Sequence, residues 1–274
     1  MSSLQVWWHG ARPRTLGAGL VPVVLGTAAA GELVPWRFAA ALLVGAGLQI
    51  GVNFANDYFD GVRGVDTGER TGPPRLTQSG AASPRAVLAA ALLYSGGPRP
   101  YAGLGLGELT VFFFFGLVAT CGSAYVMVET IPASAWWSGV VMGLLAVAIL
   151  VANNLRDIPT DAAADKRTLA VRIGATRTRT LFRICVIAAF ATIAVGVLVY
   201  MFLSKSAGLP TWGLIGMAAW IFAIKPVELV GTASGRDLIP VLVSTALTHA
   251  ACGLLMALGL LLYHGQNVLP AKVI

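Results

Sequence analysis

The sequence is poor in charge and in cysteine. Asp, Glu, Lys and Arg make up 11% of its 274 residues, whereas a soluble domain carries about 25%. This composition excludes an ordinary water-soluble domain. No nucleophile elbow, phosphate-cradling glycine loop or zinc signature is present. The three cysteines lie in separate apolar runs without metal-ligand spacing, so we interpret them as packing residues: Cys121, Cys185 and Cys252.

Long apolar runs dominate the sequence instead. It is 57% hydrophobic, with a mean hydropathy of +0.77, and a run of ~20 apolar residues can cross a bilayer as a helix. We therefore predict an all-α, polytopic membrane helical bundle in which residues 1–274 form a single transmembrane domain. The predicted spans are about Thr15–Ala30, Phe38–Phe59, Glu108–Val128, Trp136–Asn154, Leu181–Leu203, Trp212–Ile224 and Leu238–Tyr263.

Two segments depart from this spanning pattern. The apolar run Ala86–Tyr94 has about nine residues, less than half of a crossing, so we do not count it as a span. The start, Met1–Arg14, is polar and aromatic, without the apolar core of a cleavable signal peptide. We therefore expect the first apolar run to remain as a spanning helix.

Basic residues are distributed unevenly among the polar segments. The chain carries 19 Lys and Arg and a net charge of +7. With a cytoplasmic N-terminus, 16 of the 19 fall on the cytoplasmic side, as the positive-inside rule requires; the three outside are Arg37, Lys205 and Lys272. We predict this orientation, and we ascribe the basic charge to membrane topology and contact with anionic lipid, with no nucleic-acid partner.

A first acidic stretch follows the second apolar run and reads Asn-Phe-Ala-Asn-Asp-Tyr-Phe-Asp. If the helix continues through it, four polar side chains at i, i+3, i+4 and i+7 share one face: Asn53, Asn56, Asp57 and Asp60. Carboxylates crowded in this way require a cation. Acidic residues at membrane depth are costly and therefore usually functional.

A second acidic stretch, Asn153–Asp161, follows another apolar run, and its Asp157 and Asp161 lie one helical turn apart. Basic residues accompany the two stretches: Arg70, Lys166 and Arg167, with Arg99 in Gly-Gly-Pro-Arg-Pro as a further candidate. Hard oxygen ligands suit Mg2+, and cationic donors suit phosphate oxygens. The pair of stretches therefore predicts a membrane enzyme that ionises a prenyl diphosphate.

Two other interpretations remain open at this point. Carboxylates at the ends of spans can simply solvate a helix terminus, and nearby basic residues can follow the positive-inside rule. Alternatively, the carboxylates belong to the ion path of a transporter or channel. Acidic residues grouped at one membrane face, with none at the midplane of successive spans, argue against such a path.

The motifs also resemble those of a known family. Asn53–Gly61, Asn153–Asp161 and Lys166–Arg172 are similar to the motifs of 1,4-dihydroxy-2-naphthoate polyprenyltransferases, the menaquinone-pathway branch of the UbiA superfamily of intramembrane prenyltransferases. Ala11–Leu16 and Tyr94–Tyr101 are further matches, so the likeness covers most of the chain. The resemblance implies a UbiA-like helical bundle, normally of nine helices, around a cavity that opens to the cytoplasm and to lipid.

A site and a reaction follow from the resemblance. The implied Mg2+ ligands are Asn56, Asp57, Asp60, Asp66, Asp157 and Asp161, and the implied diphosphate-binding residues are Arg70, Arg99, Lys166 and Arg167. The carboxylates expected to be catalytic are Asp60, Asp157 and Asp161. The implied reaction transfers a polyprenyl group from polyprenyl diphosphate to 1,4-dihydroxy-2-naphthoate with loss of carbon dioxide, giving demethylmenaquinone in a bacterial cell membrane. A UbiA-type enzyme acting on 4-hydroxybenzoate or haem is the alternative.

The sequence departs from the family pattern in two places. Between Arg85 and Tyr94, about nine residues stand where the family carries most of two spanning helices, so we expect a chain shortened by roughly 30 residues. This leaves about seven full spans plus a short segment, and it keeps an inactive, shortened homologue open as an alternative. Asp165 stands where the family has a small residue.

Overall fold

The computed structural model describes residues 3–62, 76–77, 80, 82–88 and 105–268. This part of the chain is helical and contains no strand. Its longer helices, in chain order, are α1 (Ser3–Ala11), α2 (Gly17–Ala30), α3 (Pro35–Val62), α4 (Gly107–Val128), α5 (Ala133–Ala163), α6 (Leu169–Leu203), α7 (Thr211–Leu229) and α8 (Leu238–Val268). Residues 84–88 are also helical. The predicted all-α architecture is confirmed.

Six helices of the described part, α3 to α8, are long and apolar enough to cross a membrane. The first apolar run is shorter than predicted, because α2 has 14 residues and a rise of 1.5 Å per residue makes it only about 21 Å long. It begins after a 3-10 turn at Pro13–Thr15 and ends at Gly31, whose φ of +74° stops the helix. Of the seven predicted spans, six are confirmed as helices of spanning length in the described part of the chain, and the seventh, Thr15–Ala30, corresponds to the shorter apolar helix α2.

Several helices extend beyond the apolar runs that predicted them. Helix α5 continues through the whole second acidic stretch to Ala163. Helix α6 begins at Leu169 rather than at the predicted Leu181, since Thr168 Oγ1 caps it by accepting a hydrogen bond from the N–H of Val171 (3.4 Å). A kink at Gly174, with φ +78°, divides its first turn from the rest. Hydropathy locates where a helix enters lipid, not where its backbone hydrogen bonds begin.

The apolar core is built from α2, α4, α5, α6, α7 and α8 around the middle of α5. Met142, Leu145 and Val151 on α5 are fully buried. Close approach depends on small residues: a Cβ on Gly26 of α2 would lie 2.1 Å from the carbonyl oxygen of Thr120 on α4. Glycine at such a contact allows the backbones of two membrane helices to pack directly together.

Side-chain contacts fix which helix ends lie together. Arg37, in the first turn of α3, donates to the carbonyl oxygens of Val126 (2.9 Å) and Met127 (3.3 Å) in the last turn of α4. At the other end of α4, Glu108 accepts a hydrogen bond from Asn154 on α5 (3.0 Å). The last turns of α3 and the second acidic stretch of α5 therefore lie at the same end of the bundle, which we call the acidic end.

Candidate active site

A row of buried polar side chains runs along the last turns of α3. Gln49, Asn53 and Asp57 follow one another at i, i+4 and i+8, and all three are buried. Asn53 Nδ2 donates to the carbonyl oxygen of Ala11 and to Oγ1 of Thr15, both at 2.9 Å. Gln49 Nε2 donates to the same Thr15 oxygen at 3.2 Å. The first two members of the row therefore attach the turn between α1 and α2 to α3.

Asp57 completes this row, and backbone groups engage its carboxylate. Its two oxygens accept hydrogen bonds from the N–H groups of Leu76 (2.8 Å) and Thr77 (2.9 Å). Asn56, about 100° around the helix from Asp57, is exposed. Helix α3 thus continues through the acidic stretch, as predicted, but its polar side chains divide: Asn53 and Asp57 face the protein and Asn56 does not.

Asp157 on α5 pairs with the arginine that precedes it. Arg156 Nε and Nη2 donate to Oδ1 and Oδ2 of Asp157, both at 2.7 Å, and Nη2 also donates to Oδ1 of Asn153 at 2.8 Å. Both partners of the ion pair are buried, with side-chain exposures of 8% and 9%. A bidentate, buried pair fixes the orientation of the Asp157 carboxylate.

Asp161 lies one turn further along α5 and is 2% exposed. Its carboxylate is 3.5 Å from Nζ of Lys166. The chain reverses between the two residues, since the Lys166 N–H donates to the carbonyl oxygen of Asp161 at 2.8 Å. Asp165 in this turn has a φ of +50°, a left-handed conformation that favours glycine, which gives a physical reason for the small residue of the family pattern.

The two predicted phosphate-binding residues that follow this turn point differently. Lys166 is mostly buried beside Asp161, with a side-chain exposure of 14%. Arg167 is 69% exposed and donates to Asp165, itself 83% exposed, at 3.1 Å. An exposed pair of this kind holds its members weakly, so Arg167 remains able to change partner.

Sequence reasoning missed two residues at the acidic end. The acidic and basic motifs assign no role to Arg156, although it neutralises Asp157. The apolar pattern marks Glu108 only as the start of a span, yet Glu108 is buried and accepts a hydrogen bond from Asn154 within the second acidic stretch. An ionisable residue at membrane depth is itself a functional signal, and that signal was present at both positions.

Several predicted site residues lie outside the described part of the chain. They are Asp66, Arg70 and Arg99, together with the side chain of Asp60, whose backbone belongs to α3. Among the side chains that are described, no group of three or more His, Cys, Asp or Glu could hold a metal ion. The complete ligand set therefore stays a prediction.

The fold and the site together define a polytopic helical membrane protein with an ionic site at one end of its bundle. Its fold is similar to that of a solved structure reported as "Structural and mechanistic insights into the biosynthesis of Digeranylgeranylglyceryl phosphate synthase in membranes". The match has a TM-score of 0.54 and covers 95% of this chain and 99% of the other. At 15% identity it shows the fold alone.

Sequence comparison assigns the family. Residues 87–230 match the UbiA prenyltransferase family, and the chain belongs to it. The chain is 40% identical to the 1,4-dihydroxy-2-naphthoate octaprenyltransferase of Mycobacterium tuberculosis (strain ATCC 25618 / H37Rv), over 94% of this chain and 97% of the relative. It is 30% identical to the protein of the same name from Haemophilus influenzae, over 94% and 96%. The predicted family is therefore confirmed, and the chain is a membrane prenyltransferase.

The comparison also bears on chain length. The alignment with the Mycobacterium tuberculosis relative extends over 294 residues, more than the 274 residues of this chain. The relative therefore has residues without a counterpart here, as the family pattern predicts. The position of the missing segment, between Arg85 and Tyr94, stays a prediction.

Proposed function

We propose that the chain transfers a polyprenyl group from polyprenyl diphosphate to 1,4-dihydroxy-2-naphthoate, with loss of carbon dioxide, and gives demethylmenaquinone. The observation that carries the proposal is that α3 and α5 bring their acidic stretches to one end of the bundle, beside Arg156 and Lys166. The names of the relatives support the naphthoate acceptor and a polyprenyl donor. Residues 1–274 act as a single transmembrane prenyltransferase domain in this proposal.

Magnesium is the proposed cofactor, held between the two acidic stretches. The proposed ligands are Asn56, Asp60, Asp66, Asp157 and Asp161. These ligands fit the ion because Mg2+ prefers oxygen ligands. An ionised carboxylate offers about four lone-pair positions, so the Asp157 carboxylate can bind a cation while it accepts from Arg156. When bound, the ion would neutralise charge that builds on the diphosphate as the allylic C–O bond stretches.

The chain's own cations bind and orient the diphosphate. Lys166 stands beside the buried Asp161 carboxylate, where its Nζ can donate to a phosphate oxygen. Arg167 is exposed and able to turn toward the same group. The proposed diphosphate-binding set is completed by two arginines of the polar segments: Arg70 and Arg99. Arg156, committed to Asp157 by two short hydrogen bonds, orients that carboxylate rather than the substrate.

Exclusion of water protects the allylic cation until the ring attacks it. Below Asp157, α5 presents Ala148, Val151 and Ala152, all fully buried, so the interior next to the site is apolar. The electron-rich ring of the hydroxylated naphthoate then attacks the cation, and water, which would give a prenyl alcohol, is kept away. The polyprenyl tail is expected to lie along the lipid-facing apolar surface of the bundle.

The distribution of basic residues between the two ends of the bundle indicates how the protein is oriented in the membrane. Basic residues concentrate at the acidic end, including Arg156, Lys166 and Arg179, while Arg37 and Lys205 lie toward the opposite end. By the positive-inside rule, we propose that the acidic end and the N-terminus face the cytoplasm of a bacterial cell membrane. Contact of the basic segments with anionic lipid is expected.

Membranes that contain the full chain test the proposal directly. They are supplied with 1,4-dihydroxy-2-naphthoate, a long polyprenyl diphosphate and Mg2+, and the lipid extract is analysed for demethylmenaquinone by mass spectrometry. We expect product with Mg2+, loss of product with EDTA, and recovery when Mg2+ is restored. Membranes without the chain give the background.

Competing acceptors distinguish the alternatives within the family. Equal amounts of 4-hydroxybenzoate and 1,4-dihydroxy-2-naphthoate are offered together, and prenylated products are counted. A prenylated benzoate as the main product would contradict the naphthoate assignment. The absence of any prenylated product, with the chain folded in the membrane, would favour an inactive, shortened homologue.

A further inference from the structure

Both oxygens of the Asp57 carboxylate, near the end of α3, are engaged by backbone groups. It is 1% exposed, and each of its two oxygens accepts one backbone N–H, from Leu76 at 2.8 Å and from Thr77 at 2.9 Å. Hydrogen bonds to an ionised acceptor are about twice as strong as those between neutral groups. The carboxylate therefore satisfies two buried N–H donors that would be costly to leave unpaired.

The position of Asp57 on α3 separates it from the exposed side of the acidic stretch. It continues the row of Gln49 and Asn53, whose described partners belong to the protein itself. Asn56 lies about 100° away around the helix and is exposed. An ion or a diphosphate that approaches the exposed side meets Asn56, whereas Asp57 faces packed protein.

Leu76 is held by its side chain as well as by its N–H. It is 3% exposed and forms a buried apolar cluster with Phe54 and Val87. Helix α1 closes over this cluster without a side chain at Gly10, where a Cβ would lie 2.5 Å from Leu76 Cδ1 and 2.8 Å from Phe54 Cε1. Polar and apolar contacts thus fix the same point of the chain against α3.

We propose that Asp57 is a positioning residue that anchors the returning chain at Leu76 and Thr77, and that it is not a ligand of the catalytic metal. The anchor holds Leu76 and Thr77 against α3, to which the sequence connects them through residues 63–75. By sequence that connection contains Asp66 and Arg70. Any effect of the anchor on how Asp66 and Arg70 bind metal and diphosphate rests on the proposed function. The contact of Asp57 with Leu76 and Thr77 does not.

Hydrogen–deuterium exchange of the purified full chain, without metal or substrate, tests the anchor. In Asp57→Asn, one of the two acceptor oxygens is replaced by an NH2 group, which donates hydrogen bonds and cannot accept them. We expect the peptide containing Leu76 and Thr77 to exchange at least about tenfold faster than in the wild type, equivalent to about 1.4 kcal/mol. Asn56→Ala is the matched control and leaves this exchange unchanged. Equal exchange in Asp57→Asn and wild type would overturn the proposal.

A second exchange experiment adds Mn2+ alone, and its result does not depend on enzyme activity. Adding Mn2+ to the wild type leaves the exchange of Leu76 and Thr77 unchanged if Asp57 serves only as an anchor. Faster exchange on adding Mn2+ would overturn the proposal, because the ion would then have taken the Asp57 oxygens from the two amides. This arm decides the question even if Asp57→Asn does not fold.

Binding of Mn2+, measured from the EPR signal of the free ion, distinguishes aspartates that bind the metal from an aspartate that only anchors the chain. Asp60→Asn and Asp161→Asn weaken binding, and Asp57→Asn leaves the dissociation constant unchanged. Weakening by Asp57→Asn as large as that by Asp60→Asn would contradict the anchor role. If the wild type binds no Mn2+, the metal of the proposed function fails, and the exchange measurement still judges Asp57 by itself.

Discussion

The acidic ends of α3 and α5 lie together but are built from different partners. On α3, the buried polar side chains Asn53 and Asp57 contact backbone groups of neighbouring segments. On α5, the buried carboxylates Asp157 and Asp161 face the side chains of Arg156 and Lys166. Backbone partners are fixed by the fold, whereas the Lys166 side chain, 3.5 Å from Asp161, can exchange the carboxylate for a phosphate oxygen. The buried side of the α3 end therefore mainly stabilises the fold, whereas the α5 end can bind an ionic ligand.

The largest effect expected from this comparison is on turnover. Asp161→Asn removes the charge of a carboxylate that is 2% exposed while keeping its shape. Asp60→Asn removes the charge of the proposed metal ligand at the end of the α3 sequence. We expect each to lower prenyl transfer by about 10²-fold or more, the size found when a preorganised electrostatic contact at a reacting centre is removed. Prenyl product formed by purified protein per unit time is the measurement.

A matched control for these variants is Glu129→Gln. Glu129 is an exposed carboxylate at the opposite end of the bundle, paired with Arg37 at 3.5 Å, so its loss is expected to leave both turnover and membrane insertion unchanged. Near-normal turnover in Asp161→Asn, with insertion intact, would mean that the carboxylates of α5 are not part of the reaction.

The next largest effect is on the stability of the α5 end. Arg156→Met leaves the Asp157 carboxylate buried without its bidentate partner, and breaking a buried pair in this way costs about 3–5 kcal/mol. Thermal unfolding of the purified protein measures the change. Arg167→Met is the control, because the Arg167–Asp165 pair is exposed and contributes little. Similar losses from both variants would show that burial does not distinguish the two pairs.

A smaller loss is expected at the α3 end. Asn53→Ala removes the hydrogen bonds to Ala11 and Thr15 and leaves the part-buried Ala11 carbonyl without this donor, which costs about 1–3 kcal/mol. The neighbouring Asn56→Ala should change the free energy of unfolding by less than about 0.5 kcal/mol, as surface substitutions usually do. If Asn56→Ala is the more destabilising of the two, the division of the α3 end into buried and exposed sides is wrong.

The smallest predicted change is a gain in stability at the turn after α5. Asp165 adopts φ +50°, and glycine takes this conformation without the steric cost of a Cβ, so Asp165→Gly is expected to stabilise by roughly 0.5–1 kcal/mol. Asp165→Ala loses the same contact with Arg167 but keeps a Cβ, so it should be no more stable than the wild type. An equal gain in both variants would show that backbone conformation is not the cause.

Most of the fold could be predicted from apolar runs, because a membrane helix must be long and apolar whatever it contacts. The run Phe38–Phe59 lies within α3, and Trp136–Asn154 lies within α5. The run Thr15–Ala30 predicted the end of α2 at Ala30 but not its start at Gly17, which follows the 3-10 turn at Pro13–Thr15. Likewise, α6 begins at the Thr168 cap, in a segment that is too polar to register as apolar.

The acidic stretches themselves could be found from the sequence, but their partners could not. Asn56 and Asp57 are adjacent, and both offer side-chain oxygens to a metal ion. Asp57 is nevertheless buried against Leu76, whereas Asn56 is exposed. A hydrogen bond from a backbone N–H carries no side-chain signature, so no sequence pattern marks Leu76 as the partner. Arg156, by contrast, is recognisable from the sequence as a cation at the end of an apolar run, directly beside Asp157.

A structure of the full chain with Mg2+ and a non-hydrolysable prenyl thiodiphosphate tests the central claim most directly, since that claim is that the two acidic ends form one site. We predict that the diphosphate lies between α3 and α5, with metal ions coordinated by Asp60 on one side and by Asp157 or Asp161 on the other. A diphosphate bound to only one acidic end, or elsewhere on the bundle, would contradict the account.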